Sequence, residues 1–346
     1  MAYTTIKKPN LYFTPFTFTG SGSAGTRTGV GFTPDMFIHK NRDNNQGWGV
    51  IDVIRGNGNY LSTNTANAEL SDVGAYGITT DGYTFPNGDI FFNGSGSNMA
   101  YWNWKAGGAG VSNTDGSISS TVSANTTSGF SIVSFTGTGS TATVGHGLGV
   151  TPKMFIVKNR SIAETWRPYH VALGGGQALA LNGTNATDTD ASYWSNTNPT
   201  SSVFTVGTNS GTNGSGNNMI AYCFAEKKGF SKIGSYTGNG NADGTFVYTG
   251  FKPAFILGKA ASGTSAAFEN WFIYDVKRNT FNPTYNVLFP NSGSAEGTNS
   301  AQSLDLLSNG FKARSVETRF NESGSTYIYM AFAEEPLVGD NPATAR

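Results

Sequence analysis

Apolar and polar residues along this chain follow the period of strands. Phe16-Thr17-Phe18 alternates, Phe246-Val247-Tyr248 is equally β-rich, and Met154-Phe155-Ile156-Val157 and Trp271-Phe272-Ile273-Tyr274 are continuous apolar runs. Runs of that length suit strands covered on both faces, and Tyr327 to Phe332 is of the same kind. No long segment repeats apolar residues at i, i+3 and i+4, so helices are not predicted. Turn dipeptides separate the runs, among them Asp81-Gly82, Asn87-Gly88, Asp243-Gly244 and Asn309-Gly310. Short strands punctuated in this way predict an all-β, antiparallel sandwich fold, jelly-roll-like, with a barrel as the alternative.

The pattern occurs three times. An aromatic-Thr-Gly-x-Gly turn appears as Phe18 to Gly22, Phe135 to Gly139 and Tyr236 to Gly240. A strand led by proline follows each, with Pro34, Pro152 and Pro253 spaced 118 and 101 residues apart. Lys40, Lys158 and Lys259 sit at one offset beyond the prolines, and the first two continue as Lys-Asn-Arg. Next comes a tryptophan with an acid or histidine four residues on: Trp48 and Asp52, Trp166 and His170, Trp271 and Asp275. Each copy closes with a Gly/Ser/Asn turn running into an aromatic strand, as at Asn93 to Trp104, Asn213 to Phe224 and Asn321 to Met330. Units of about 100 residues can each bury a core. The reading is three tandem sandwich domains, 1–105, 130–228 and 229–336, with a Gly/Ser/Thr-rich linker at 106–129 and a tail at 337–346. The prolines, the tryptophans and Asp52, His170 and Asp275 are read as structural residues of the repeat core.

Composition narrows the function. The 346 residues include 46 Gly, 22 Lys+Arg and 22 Asp+Glu, and only 13% are charged, against about 25% in an average soluble protein. Aromatics at 13% argue against disorder. Zero formal net charge leaves no excess of cations for a phosphate backbone. Cys223 is the lone cysteine and lies in an apolar run, as a buried residue would in a protein made in a reducing cytoplasm. The first ten residues lack the apolar core of a signal peptide, and no run reaches the roughly 20 apolar residues that span a bilayer.

Candidate chemistry is sparse. His39, His146 and His170 share no metal-ligand spacing, and the Gly-x-Gly patterns lie between strands, where they read as turns. Asp52 and Asp275, with Glu69, Asp188 and Glu296 near equivalent later positions, could suggest a glycosidase pair. His170 replaces the acid in the second copy, so a structural role is preferred and no catalytic, metal or cofactor site is assigned. Asp188-Thr189-Asp190 alternates acids without a full calcium-loop pattern. For sugar stacking the candidates are Tyr193 and Trp194, between Asp190 and Asn196, with Tyr60 the weaker. The competing reading is that these aromatics pack on their own domain or a neighbouring subunit.

Several stretches carry a resemblance to a family. Met1-Ala2-Tyr3-Thr4-Thr5-Ile6, Ser112-Asn113-Thr114-Asp115-Gly116-Ser117 and Val144-Gly145-His146-Gly147-Leu148-Gly149 resemble virion-associated proteins of marine tailed phages, including cyanophages. Gly229 to Tyr236 and the ending Met330-Ala331-Phe332-Ala333-Glu334 are similar to the same group. The resemblance implies a tail-fibre-like or structural role, other virion proteins as partners, a homo-oligomer with a trimer favoured, and synthesis in a host cytoplasm before work on the virion surface. It brings no catalytic residues. The resulting expectation is a non-enzymatic tail fibre or tail-associated appendage contacting the host, through glycan in one version. The alternatives are a capsid decoration or fibre protein without a receptor role and a polysaccharide depolymerase. Neither nucleic acid nor membrane insertion is expected. Three repeats in one chain could also form a pseudo-threefold body alone.

Overall fold

A computed structural model describes residues 3–71, 76–263, 265, 268–340 and 342–344. Strands make up all three copies, and the described helical segments are single turns of three or four residues. The first copy has a four-stranded sheet in the order Phe13–Thr19, Asn98–Trp104, Met36–Asn41, Trp48–Asp52. A second sheet, of Gly25–Thr28, Gly82–Phe85 and Gly77–Thr79, covers its outer face. The second copy repeats the four-stranded order with Phe130–Thr136, Asn218–Phe224, Met154–Asn159 and Arg167–His170. The third uses Ser231–Thr237, Thr326–Pro336, Phe251–Ala260 and Phe272–Asp275.

Pairing register is common to the copies. Met36 lies opposite Trp104 and Asp52, Met154 opposite Phe224 and His170, and Phe255 opposite Phe332 and Asp275. Each of these residues stands two past its proline. In the first two copies the proline precedes the strand, where its missing N–H costs no ladder bond. In the third the strand runs through Pro253 with a register shift on either side. The glycine motif is explained by a close approach. A Cβ on Gly20, Gly137 or Gly238 would come within 2.1 to 2.3 Å of the carbonyl oxygen of Gly94, Gly214 or Glu322. The second glycine of each motif has φ of 65 to 71°, which an L-residue adopts only under strain.

Alternation along each inner strand sends side chains to two different cores. Phe37, Ile51 and Tyr101 face outward onto Tyr83 and Phe85 of the first copy's own second sheet. Phe155, Tyr169 and Ala221 do the same against Phe204 and Val206. The opposite faces meet one another. Met36, Val50, Trp102 and Trp104 form a single buried cluster with Met154, Ile156, Tyr222 and Phe224, and with Phe255, Leu257, Met330 and Phe332. Trp104, Phe224 and Phe332 occupy equivalent positions, and their ring centroids lie 6.3, 6.1 and 5.8 Å apart. They close a triangle, so the copies surround a common axis.

Two expectations change. The copies at 1–105, 130–228 and 229–336 are not separate tandem domains, because the apolar inner face of each four-stranded sheet is covered by the other two. Nor is 106–129 a plain linker. Val111–Asn113 and Ser120–Asn125 form an antiparallel hairpin that extends the second copy's sheet to six strands. Its polarity reflects an edge position with one face in solvent: Val122 is buried while Val111 is exposed. In the tail, the described residues fold back, with the Ala343 N–H donating to the Pro336 carbonyl and Lys7 3.6 Å from Asp340.

Candidate functional site

The repeated tryptophans are buried, yet each indole N–H needs an acceptor. Each finds it in a neighbouring copy. Trp166 Nε1 donates to the Ser62 carbonyl, Trp48 Nε1 to that of Ser292 and Trp271 Nε1 to that of Ala180, all at 2.8 Å. The second copy therefore binds the first, the first binds the third, and the third binds the second. The ring is closed.

Two of the three seams carry the same ionic network. Between the second and first copies, Tyr222 Oη donates to Asp52 Oδ2 at 2.7 Å, and Arg55 Nε donates to the same oxygen at 2.5 Å. Arg55 Nη1 reaches Glu69 Oε2 at 3.2 Å, and Arg160 forks onto Glu69 at 2.8 and 3.0 Å. Between the first and third copies, Trp102 Nε1 donates to Asp275 Oδ2 at 2.9 Å and Arg278 Nε at 2.5 Å. Arg278 Nη1 meets Glu296 Oε1 at 2.7 Å, and Arg42 forks onto Glu296. Burial works against the charge on Arg55, but Asp52, Tyr222 and Glu69 outweigh it and hold its pKa above the ordinary value. Arg278 is held up in the same way by Asp275 and Glu296.

The third seam has lost this network at every position. Register places Ala261 where Arg42 and Arg160 stand, and Leu173 where Arg55 and Arg278 stand. Thr187 takes the place of Glu69 and Glu296, judged by the pairings Tyr60↔Leu70, Val287↔Gly297 and Ala178↔Asp188. His170 replaces the aspartate, and Met330 replaces the donor Trp102 or Tyr222. Nδ1 of His170 accepts the Ala172 N–H at 3.1 Å, so Nε2 carries the proton toward the Tyr329 carbonyl, 3.3 Å away. Burial lowers the pKa of His170 to about 4, which keeps the ring neutral. An open groove of about 600 Å³ runs along this seam, lined by Arg167, Asn185, Thr187 and Asp188 of the second copy and by Phe268 of the third.

A family profile described as a domain of unknown function (DUF7483) matches residues 8–336. The chain belongs to that family. One profile spans all three copies, in keeping with their shared core. No curated protein matches the chain.

Within this DUF7483 chain the residues proposed for sugar stacking are corrected by their burial. Trp194 is 0% exposed and Tyr193 3%. Both lie in the second copy's own core, on the single helical turn Ala191–Trp194, which Asp190 caps by accepting the Ser192 N–H. Phe155 and Tyr169 pack edge-on against Trp194, which leaves no face for a ligand. Tyr60 is half-buried among Tyr76, Phe91 and Phe92. Asp188 accepts the Tyr193 hydroxyl at 2.7 Å and Asp190 the Ser192 N–H, so both acids have partners within the protein. No group of three or more His, Cys, Asp or Glu side chains among the described residues could hold a metal. Cys223 is buried, and desolvation pushes its thiol pKa up.

The repeat-core residues are placed as follows. Pro34, Pro152 and Pro253 are buried, and Asp52, His170 and Asp275 lie on the seams. The equivalent lysines are buried as well. Lys40 Nζ donates to the carbonyls of Asn41 and Asn44, and Lys158 Nζ to those of Asn159 and, across the seam, Ala66. Burial lowers the pKa of Lys40, Lys158 and Lys259 to about 8, opposed by Glu296, Glu164 and Glu269 respectively. Arg42, Arg55, Arg160 and Arg278 were not singled out as partners from sequence; only the Lys-Asn-Arg repetition hinted at the first and third.

Proposed function

We propose that this chain is a non-enzymatic virion surface protein, a component of a tail fibre or tail-associated appendage that contacts the host. The observation that carries the reading is the closed pseudo-threefold body, in which the repeated polar residues bind one copy to the next. Asp52, Asp275, Glu69 and Glu296 are occupied by arginines in the seams, where a hydrolase would hold its carboxylates open to substrate. A body of this symmetry suits a threefold fibre axis, and the resemblance to phage virion proteins supports the same place. Any homo-oligomer would join complete pseudo-trimers, since one chain already closes the ring.

Antibody raised against the purified protein and imaged on phage particles tests the location. Label at the tail is the expected result. Label spread over the head would make the protein a capsid decoration, and particles left bare would refute a virion role. Oligosaccharide release from bacterial envelope polysaccharide would overturn the non-enzymatic reading in favour of a depolymerase.

A further inference from the structure

We propose that the groove between the second and third copies binds a short, neutral carbohydrate. The proposal deepens the host-contact reading and rests on it. In the other seams a glutamate fills the corresponding place and is clamped by two arginines. Here Thr187 stands instead and borders an open groove. Its volume of about 600 Å³ falls within the roughly 300 to 1,000 Å³ typical of small-ligand sites.

The lining has the chemistry of sugar recognition. Phe268 is 64% exposed at the groove wall, where its ring can take the C–H face of a pyranose. Asn185 and Asp188 are exposed beside it, and Arg167 contributes a planar donor group. Amide, carboxylate and guanidinium groups offer paired donors and acceptors that match neighbouring hydroxyls. The Arg167 guanidinium lies 4.3 Å from the Tyr193 ring centre, and its Nε is buried there without a hydrogen-bond partner. Arg167 belongs to this copy alone, because Gly49 and Phe272 occupy the equivalent pairing positions. With one Arg and one Asp the groove is neutral overall, unlike a phosphate or nucleic-acid site. Among the described residues no large aliphatic side chain lines it, so the apolar anchor pocket that peptide partners use is missing from that lining.

The test uses the full chain on an array of defined neutral and acidic oligosaccharides, with saturation-transfer NMR on any hit. Phe268→Ala removes the stacking face. Thr187→Glu restores the side chain that plugs the other seams. Phe281→Ala, at a residue 77% exposed elsewhere, is the control. Thermal melts check that each variant is folded. The expected result is binding of a neutral oligosaccharide that weakens about tenfold or more in the first two variants, a loss of about 1.4 kcal/mol, and is unchanged in the control. A wild-type chain that binds no oligosaccharide, or only acidic ones, overturns the proposal, as does binding that both groove variants leave intact. Retention on host cells, measured in parallel, separates the two readings: retention without groove binding removes this site and leaves host contact standing.

Discussion

Asp52 and Asp275 each accept hydrogen bonds from an arginine of their own copy and an aromatic donor of another, in places closed to water. Removing the aspartate charge strips the buried arginine of its nearest counter-ion and leaves it only Glu69 or Glu296. Asp52→Asn and Asp275→Asn should therefore each cost about 3–5 kcal/mol in denaturant unfolding, whereas His170→Asn, in the neutral seam, should cost about 1 kcal/mol. The histidines make a second prediction. Burial lowers the pKa of His39, His146 and His170 in the folded chain, while unfolding returns each to about 6.5. Below that value the unfolded chain takes up protons that the folded chain refuses, so stability present above pH 6.5 falls as the pH drops toward 4. Urea midpoints at pH 7, 6 and 5 should decline in order, and a flat series would show that the rings are not held neutral. At this scale the sequence was legible where three copies agree, as with the tryptophans and prolines. It was not legible at Tyr193 and Trp194, because polar neighbours do not reveal which way a one-turn helix points its rings.

The seams differ as elements although the sheets that form them share one register. Two are held by arginine–glutamate forks and by backbone bonds from the Glu69 and Glu296 N–H groups to the Arg160 and Arg42 carbonyls. The third keeps its tryptophan bond and the histidine contact but, among the described residues, has no fork. Local opening follows local contact strength. In native-state hydrogen exchange, amides of 180–188 should exchange faster than those of 62–69 and 290–296, and equal protection would contradict a weak third seam. Sequence alone exposed one of the five substitutions, His170. The other four became visible only through strand register, because the network joins residues far apart in the chain, two of its links crossing from one copy to the next. The hairpin within 106–129 was missed for a related reason: an edge hairpin with one wet face has the composition of a linker.

For the whole molecule, the glycine excess and low charge are consequences of architecture. Glycines serve the close backbone approaches at Gly20, Gly137 and Gly238 and the positive-φ turns beside them. Apolar residues go to an outer core in each of the first and second copies and to one large cluster that all three share, and eight of the scarce charged residues form the networks of two seams. The expected all-β sandwich class holds. The tandem arrangement does not, since a strand's own residues tell which faces are apolar but not whether a second sheet or a second copy covers them. The central claim is that the three copies form one closed body around the Trp104, Phe224 and Phe332 triangle. Small-angle X-ray scattering of the monomeric chain tests it most directly. A single compact body of this length should give a radius of gyration of about 20 Å. A value of about 30 Å, with separate maxima in the distance distribution, would be that of three units on a string, and it would contradict the closed ring.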